Sequence, residues 1–443
     1  MYFDLTKGKI SRALLLFALP MMAGDILQQL YNVVDTLIVG KVLGKDALAA
    51  VGSAYTLMTF LTSIFLGLSL GAGTLFSIYK GKQNMQALKS AVAQGLELIL
   101  GCTVVLNVAV YVGLEPILKF LQVPDSVQQG MRSYLLIVFA GLLATSVYNF
   151  FACFLRALGN SSVSLVFLLI STVVNIILDL LFVMKLHMGI EGAAAATIIA
   201  QYITAIGITI YVIRCCREYL PGWKDFRFQK GIFGEILNLS WLTCLQQSVM
   251  NFGILMIQGL VNSFGAVTMA AFAAAVKIDT LAYLPVQDFG NAYATFVAQN
   301  YGAGDRKRIR KGNVQAFGIS AIFCVIISLF VCIFAEPLMH IFIKREEVAV
   351  IATGVEYLRI EGTFYLGIGC LFLLYGYFRA IKRAFMSVVL TVISLGSRVL
   401  LAYTLAPHFG QQAIWAAIPI GWFLADAAGL FCLIRQERRE RLN

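Results

Sequence analysis

Long apolar runs alternate with short polar connections along the whole chain. Twelve of these runs have about the 20 residues that a helix needs to cross a bilayer. They cover residues 13–39, 52–79, 91–113, 132–153, 163–184, 190–213, 234–260, 267–298, 313–335, 353–378, 385–405 and 412–434, each with an error of a few residues. The pattern predicts an all-α membrane protein with twelve transmembrane helices.

One connection is longer than the others and divides the predicted helices into two sets of six. It covers residues 214–233 and clusters basic side chains around Pro221 and Gly222. We therefore expect an N-lobe of residues 1–222 and a C-lobe of residues 223–443, each with six transmembrane helices.

The two halves resemble each other when the chain is shifted by 221 residues. Gly44 then matches Gly265, and Gly81 matches Gly302. At the same offset Ala49-Ala50 matches Ala270-Ala271 and Glu115-Pro116 matches Glu336-Pro337. After a slip of two residues, Tyr134-Leu135 matches Tyr357-Leu358 and Arg156-Ala157 matches Arg379-Ala380. The offset returns to 221 at Gly189 and Gly410. Six helices per half means that both halves enter the membrane from the same side, so the repeat is parallel. Two such lobes enclosing a cleft are typical of an alternating-access transporter.

Composition excludes a water-soluble enzyme. Hydrophobic residues make up 60% of the 443 residues and charged residues 13%, against about 45–50% and about 25% in soluble proteins. The net charge of +11 has an ordinary cause in a membrane protein, because basic residues stay in cytoplasmic loops. With the N-terminus inside, 24 Lys and Arg fall on the cytoplasmic side and 6 outside. We expect both termini to be cytoplasmic and no nucleic-acid partner.

No sequence pattern points to catalysis or to a bound cofactor. The chain has no GxxxxGK[ST] phosphate loop, no HExxH and no GxSxG. Its three histidines lie far apart, and its nine cysteines lack zinc spacing. We expect a protein that is not an enzyme, has no cofactor, and takes any energy that it needs from an ion gradient.

Ionisable residues inside apolar helices are costly and therefore informative. Asp25, Gln28, Asn32 and Asp35 follow one another in the first helix at steps of three, four and three. This spacing places them on one helical face. A substrate or ion pathway explains such a stripe, and a polar seam satisfied by neighbouring helices is the alternative.

The fifth helix carries a second stripe, formed by Ser171, Asn175 and Asp179. Carboxylate and amide oxygens are ligands that a hard cation prefers, and a shielded carboxylate also takes up a proton. Thr197 in the sixth helix and Asn149 in the fourth are candidates to complete the site, although each is also explained as a simple intrahelical hydrogen-bonder.

The second half keeps polar stripes but has no acids at the matching positions. Gln247 and Asn251 lie in the seventh helix, and Asp288 lies near Pro285 in the eighth. We expect these three to line a substrate cavity. Two structural ion pairs are also expected: Lys277 with Asp279 or Asp288, and Arg398 with Glu361 or Asp426. Ion coupling is therefore expected in the first lobe.

Two segments give the chain a family resemblance. LQQLYNVVDTLIVG at residues 27–40 and ATFVAQNYGAGD at residues 294–305 resemble the MATE (multidrug and toxic compound extrusion) family, and the likeness extends over essentially the whole chain. It is strongest to the DinF-like branch. The branch with a Glu in the seventh helix is not matched, because Met250 occupies that position.

The resemblance implies ion-coupled multidrug efflux across the cell membrane, with Na+ or H+ entering as a small, cationic organic compound leaves. It implies a coupling-ion site formed by Asp35, Asn175, Asp179 and Thr197. The implied substrate cavity, to which the stripes above also point, has seven candidates: Asp25, Gln28, Asn32, Asn149, Gln247, Asn251 and Asp288.

Other classes remain open at this point. A flippase for lipid-linked precursors would need a large basic cavity, which an acidic first lobe does not suit. A passive channel or a receptor would need no cleft with buried acids. We expect a monomer in contact with membrane lipid, and a bacterial inner-membrane location.

Overall fold

The structure is a computed structural model that describes residues 3–43, 45–120 and 125–442. Within these ranges, side chains are not described at residues 33–37, 40, 41, 45, 46, 48, 49, 53, 56, 119, 120, 125–127, 255 and 439–442. Every regular element in this part of the chain is helical. The predicted all-α fold is confirmed.

The first half contains eight α-helices. Their bounds are α1 Ile10–Leu43, α2 Lys45–Gly81, α3 Met85–Val112, α4 Leu114–Phe120, α5 Asp125–Phe139, α6 Leu142–Ala157, α7 Ser162–Asp179 and α8 Gly189–Cys215. A π-helical turn, Leu180–Lys185, continues α7 beyond Asp179. Two 3-10 turns, Arg217–Tyr219 and Trp223–Phe226, follow α8.

The second half also contains eight α-helices. Their bounds are α9 Lys230–Asn262, α10 Ala266–Ala303, α11 Arg306–Ile333, α12 Ala335–Met339, α13 Val348–Gly362, α14 Tyr365–Ala380, α15 Ala384–Phe409 and α16 Gln411–Leu442.

Ten helical segments in the described part of the chain are long and apolar enough to cross a membrane, and the number rises to twelve if two bent pairs each count as one span. The predicted fourth span is the bent pair of α5 and α6, at 46°, and the predicted tenth is the pair of α13 and α14, at 52°. Neither break falls at a proline. The helices continue through Pro20, Pro285 and Pro419.

Structural landmarks recur in the two halves. The two bent pairs occupy the same place in each half, and both short helices, α4 and α12, carry a Glu-Pro pair in their first turn. Gly189 is the first residue of α8 and Gly410 directly precedes α16, with φ of +66° and +69°, a left-handed conformation that glycine adopts without strain. These features follow the internal duplication seen in the sequence.

The chain separates into two compact units that share two long helices. One unit contains Met1–Phe3 and Ala23–Cys244, and the other contains Asp4–Met22 and Leu245–Asn443. Helix α1 therefore begins in the second unit and ends in the first, while α9 does the opposite. The lobe boundary at residues 222 and 223 stays a prediction.

In the first unit, α2 and α9 pack backbone to backbone through two glycines. A Cβ placed on Gly67 would lie 2.5 Å from Cys244 Cα, and one on Gly71 would lie 2.4 Å from Ser240 Cα. Ser240 also donates its hydroxyl to Leu68 O at 2.9 Å. Small residues four apart permit this close approach between helices in lipid.

In the second unit, buried ionisable side chains gather between α10, α13 and α15. Asp279 and Glu361 are each 3% exposed and Arg398 is 9% exposed. Asp279 Oδ1 accepts a hydrogen bond from Tyr365 Oη at 2.6 Å. The Arg398 guanidinium interacts electrostatically with both carboxyl groups, and Tyr357 supports Glu361 from the same helix. We call this set the α10–α13–α15 acid cluster.

Arg398 acts electrostatically on Glu361, one of its two expected partners, and the ion pair itself stays a prediction. Lys277 does not pair with Asp279 or Asp288 in the described structure; its Nζ lies 6.0 Å from the ring centroid of Phe342 instead.

Arg308 and Asn300 bind the backbone of the N-terminal residues of the second unit. Arg308 donates to the carbonyl oxygens of Leu5, Lys7 and Gly8 at 2.7–3.2 Å. Asn300 Nδ2 also donates to Leu5 O, at 3.2 Å. Leu5 is fully buried, so its side chain packs inside the unit before α1 begins, whereas Lys7 and Gly8 are exposed.

Gly71→Ala should destabilise the protein, because its methyl group would push the α9 backbone away from α2. We expect a loss of about 1–3 kcal/mol, seen as a lower melting temperature in detergent. Gly101→Ala is the matched control, since nothing lies within 4 Å of a Cβ there; it should be neutral or slightly stabilising. Equal effects of the two substitutions would contradict the proposed helix contact.

Arg398→Gln should destabilise the second unit, because two buried carboxyl groups would lose their shared cation. The expected cost is on the order of 3 kcal/mol, measured by thermal unfolding. Arg398→Lys keeps the charge and should recover part of the loss. A Gln variant as stable as the wild type would show that the guanidinium does not stabilise the cluster.

Candidate ion and substrate site

Asn175 and Asp179 lie one turn apart at the end of α7, in the first unit. The spacing of four residues places both side chains on the same helical face. Asn175 is 2% exposed and Asp179 is fully buried. The π-helical turn begins directly after Asp179, and such turns are frequent at functional sites because they locally widen the helix.

The two side chains contact each other and the neighbouring helix α8. With the Asn175 amide oriented to satisfy its surroundings, Nδ2 donates to Asp179 Oδ2 at 2.7 Å and Oδ1 accepts from the backbone N–H of Thr197 at 3.2 Å. Thr197 Oγ1 donates to Ala193 O at 3.0 Å. The structure thus brings three of the four predicted ion-site residues together.

Small residues on α8 allow this approach. Ala193, Ala196 and Ala200 are buried, at 2% exposure or less. Ser171, one turn before Asn175, donates its hydroxyl to Ala200 O at 3.3 Å. The polar stripe of α7 therefore faces the alanine-rich side of α8, and side chains without bulk leave the backbone groups within reach.

Asp35 is the fourth predicted ligand. It lies within α1, but its side chain is outside the part of the chain that the structure describes. Asn32, on the same predicted stripe, is half-buried, and its Nδ2 donates to Tyr55 Oη on α2 at 3.3 Å. This contact connects the stripe to α2 through a tyrosine that the sequence analysis did not single out.

The remaining first-unit candidates have different surroundings. Asp25 is half-buried and acts electrostatically on Tyr148, whose hydroxyl donates to Ser164 O at 3.2 Å. Gln28 is exposed. Asn149 Nδ2 donates to Thr145 O within its own helix at 2.9 Å, which is the intrahelical bond that we weighed as the alternative.

Gln247, Asn251 and Asp288 lie in the second unit. Asn251 Nδ2 donates to Gln247 O at 3.1 Å, again within one helix. Asp288 is 3% exposed on α10 and Gln247 is 8% exposed on α9. Their assignment to a substrate cavity stays a prediction.

Two sets of residues were missed by the sequence analysis. The tyrosines Tyr55 and Tyr148 contact the first-unit polar stripes, and a hydroxyl within an apolar run is the signal that marks them. The α10–α13–α15 acid cluster was missed as a cluster, because its members have no counterparts among the first-half acids at the repeat offset. The spacing of residues within one helix does not reveal a cluster whose members lie on three different helices.

Around Asp179 lie a buried carboxyl group, an amide whose Nδ2 faces that carboxyl group, and the hydroxyl of Thr197 on the adjacent helix. The carboxylate and hydroxyl oxygens are hard ligands of the kind that Na+ accepts, and the carboxylate alone suffices for a proton. Asp179 is shielded from water by its burial, so a cation bound there interacts strongly with the neighbouring groups.

Known proteins resemble this chain over most of its length. A family model described as MatE matches residues 20–181 and, a second time, residues 243–404. The chain is 30% identical over 435 residues to "Probable multidrug resistance protein YpnP" of Bacillus subtilis, with 96% of this chain and 95% of that protein covered. It is 26% identical over 431 residues to "DNA damage-inducible protein F" of Escherichia coli, with 94% and 89% covered.

Solved structures share the fold. A MOP superfamily transporter from Pyrococcus furiosus, described as having a binding pocket of reverse polarity, superposes with a TM-score of 0.92 at 22% identity and covers 98% of this chain and 97% of its own. A MATE transporter in complex with MaL6 gives the same score and identity, with 99% of both chains covered.

The double family match agrees with the internal duplication, and the structural neighbours agree with the helical fold. These similarities and the apolar spans together identify the protein as a multi-pass membrane protein. The chain belongs to the MATE family of transporters.

Proposed function

We propose that this protein exports small organic cations by antiport with Na+ or H+ and that the coupling ion binds at Asp179. The observation that carries the proposal is the buried contact between Asp179 and Asn175, completed by Thr197 on the adjacent helix. Curated relatives named as multidrug resistance proteins support the substrate class. We place both termini in the cytoplasm, from the distribution of basic residues.

The physical basis of coupling is a difference in ion affinity between two access states. A cation or proton at Asp179 neutralises a buried charge. Because Asn175 bonds both Asp179 on α7 and Thr197 on α8, this neutralisation changes the contact between the two helices. Substrate and ion exchange only if they bind the two states unequally. The family resemblance implies Asp35 as a further ligand of the ion, and this assignment stays a prediction.

Coupling-ion identity is decided by gradients imposed one at a time. Purified protein in proteoliposomes loaded with a cationic dye would be tested under a Na+ gradient alone and then under a pH gradient alone. Dye movement that follows only one gradient identifies the ion. Equal flux with neither gradient would overturn the antiport proposal.

Asp179→Asn and Asp35→Asn should each reduce gradient-driven efflux by about tenfold or more, because the amide keeps the size but not the charge. Glu97→Gln is the matched control, an exposed carboxylate on α3 of the same unit, and should transport normally. Efflux that survives both aspartate substitutions would show that the ion site lies elsewhere.

Thr197→Val should raise the ion concentration for half-maximal efflux by about fivefold, because it removes a hydroxyl ligand and keeps the side-chain shape. Thr103→Val is its control, since Thr103 Oγ1 makes the same kind of bond, to Ile99 O at 2.7 Å, within α3. A similar shift in both variants would mean that Thr197 acts only on helix stability.

A further inference from the structure

The segment between α8 and α9 has two sides with different chemistry. It follows the span Gly189–Cys215 and precedes the span Lys230–Asn262. Because it joins the ends of two membrane-crossing helices, it lies where hydrocarbon gives way to headgroups and water. Its residues do not take part in the ion site proposed above.

One side of the segment is fastened to the first unit. Asp225 is 7% exposed; its Oδ1 accepts from Gln86 Nε2 at 2.8 Å and its Oδ2 accepts from the N–H of Gly222 at 2.8 Å. The second contact caps the 3-10 turn Trp223–Phe226. The turn therefore has a fixed orientation on α3.

Further contacts fasten the segment at both ends. Lys80 Nζ donates to Tyr219 Oη at 2.8 Å and lies 4.2 Å from the centroid of its ring. Gln229 Nε2 donates to Ser90 Oγ at 3.0 Å, and Gln94 Nε2 donates to Arg227 O at 3.2 Å. In the last contact Arg227 accepts through its backbone carbonyl, and its side chain is exposed.

The other side presents aromatic and basic side chains together. Trp223 is 96% exposed, Phe228 65% and Phe226 39%, and Lys224, Arg227 and Lys230 are also exposed. We call these six residues the linker surface. The acid of the turn, Asp225, faces inward, so the outward charge of this surface is positive.

We propose that the linker surface is a membrane anchor that binds anionic phospholipid headgroups. Trp and Phe rings at a membrane boundary lie at the level of the headgroups, where their apolar faces leave water. Lys and Arg beside them attract lipid phosphates within a Debye length of the surface. A rigid turn capped by Asp225 loses little conformational freedom on binding, so the exposed rings are already arranged for this contact.

Lipid is favoured over a protein partner by the position of the surface. Both flanking helices cross the membrane, so the bilayer is within reach without any second molecule. Three exposed aromatic rings in six residues are unfavourable in water. The basic side chains between them carry a positive charge that is complementary to the negative charge of phosphatidylglycerol.

Trp223 fluorescence tests the aromatic part of the proposal. The signal of Trp223 is obtained as the difference between the wild type and Trp223→Phe, both in phosphatidylglycerol vesicles, because three other tryptophans are present, at 241, 415 and 422. We expect quenching by lipids with a headgroup nitroxide and at least a threefold shielding from aqueous iodide relative to free tryptophan. Iodide quenching as strong as for free tryptophan, without nitroxide quenching, would overturn the proposal in favour of a water-facing or protein-binding surface.

Thermal stabilisation by lipid tests the basic part. Phosphatidylglycerol added to the protein in detergent should raise its melting temperature more than phosphatidylcholine does. The double variant Lys224→Gln, Arg227→Gln should lose at least half of that difference. The matched control is Lys344→Gln, Arg345→Gln, an exposed basic pair between α12 and α13, which should keep it. Equal loss in both double variants, or no difference between the lipids in the wild type, would contradict headgroup binding at the linker surface.

Discussion

A polar group within the hydrocarbon layer has no water to bond with, and this constraint governs the whole molecule. Regular backbone in the described chain is helical because a helix satisfies its own N–H and C=O groups. Side chains follow the same rule by donating to carbonyls one turn back, as Asn149, Asn251 and Thr197 do. Ionisable groups cannot be satisfied in this way, so they occur where several helices contribute partners.

The two units meet this constraint with different chemistry. Around Asp179, the described contacts come from the Asn175 amide on α7 and, through that amide, from Thr197 on α8. In the α10–α13–α15 acid cluster, the protein supplies a cation, Arg398, and two tyrosines. We propose ion coupling in the first unit because the buried pair of Asp179 and Asn175 has the residue types that the family resemblance implies for the ion site.

The spanning helices could be predicted from the sequence because hydrophobicity alone determines where they lie. Apolar run length predicted each long helix, because lipid selects length and composition locally, although some ends differ by up to eight residues: α11 begins at Arg306 rather than at residue 313, and α16 ends at Leu442 rather than at residue 434. The breaks between α5 and α6 and between α13 and α14 were not predicted, because neither falls at a proline that would mark it in the sequence. For the site, spacing along α7 predicted that Asn175 and Asp179 share a face. It did not predict Tyr55 or the acid cluster, because those contacts depend on which helices become neighbours.

Helix α1 also sets an order of events during synthesis. Residues 4–22 are translated before the rest of the unit to which they belong, whose remaining residues begin at Leu245. The arginine that binds the backbone of Leu5, Lys7 and Gly8 is residue 308. These contacts can therefore form only after residue 308 has been translated. The second unit is thus not one continuous segment of the chain, and its first residues must wait for their partners while the whole first unit is made.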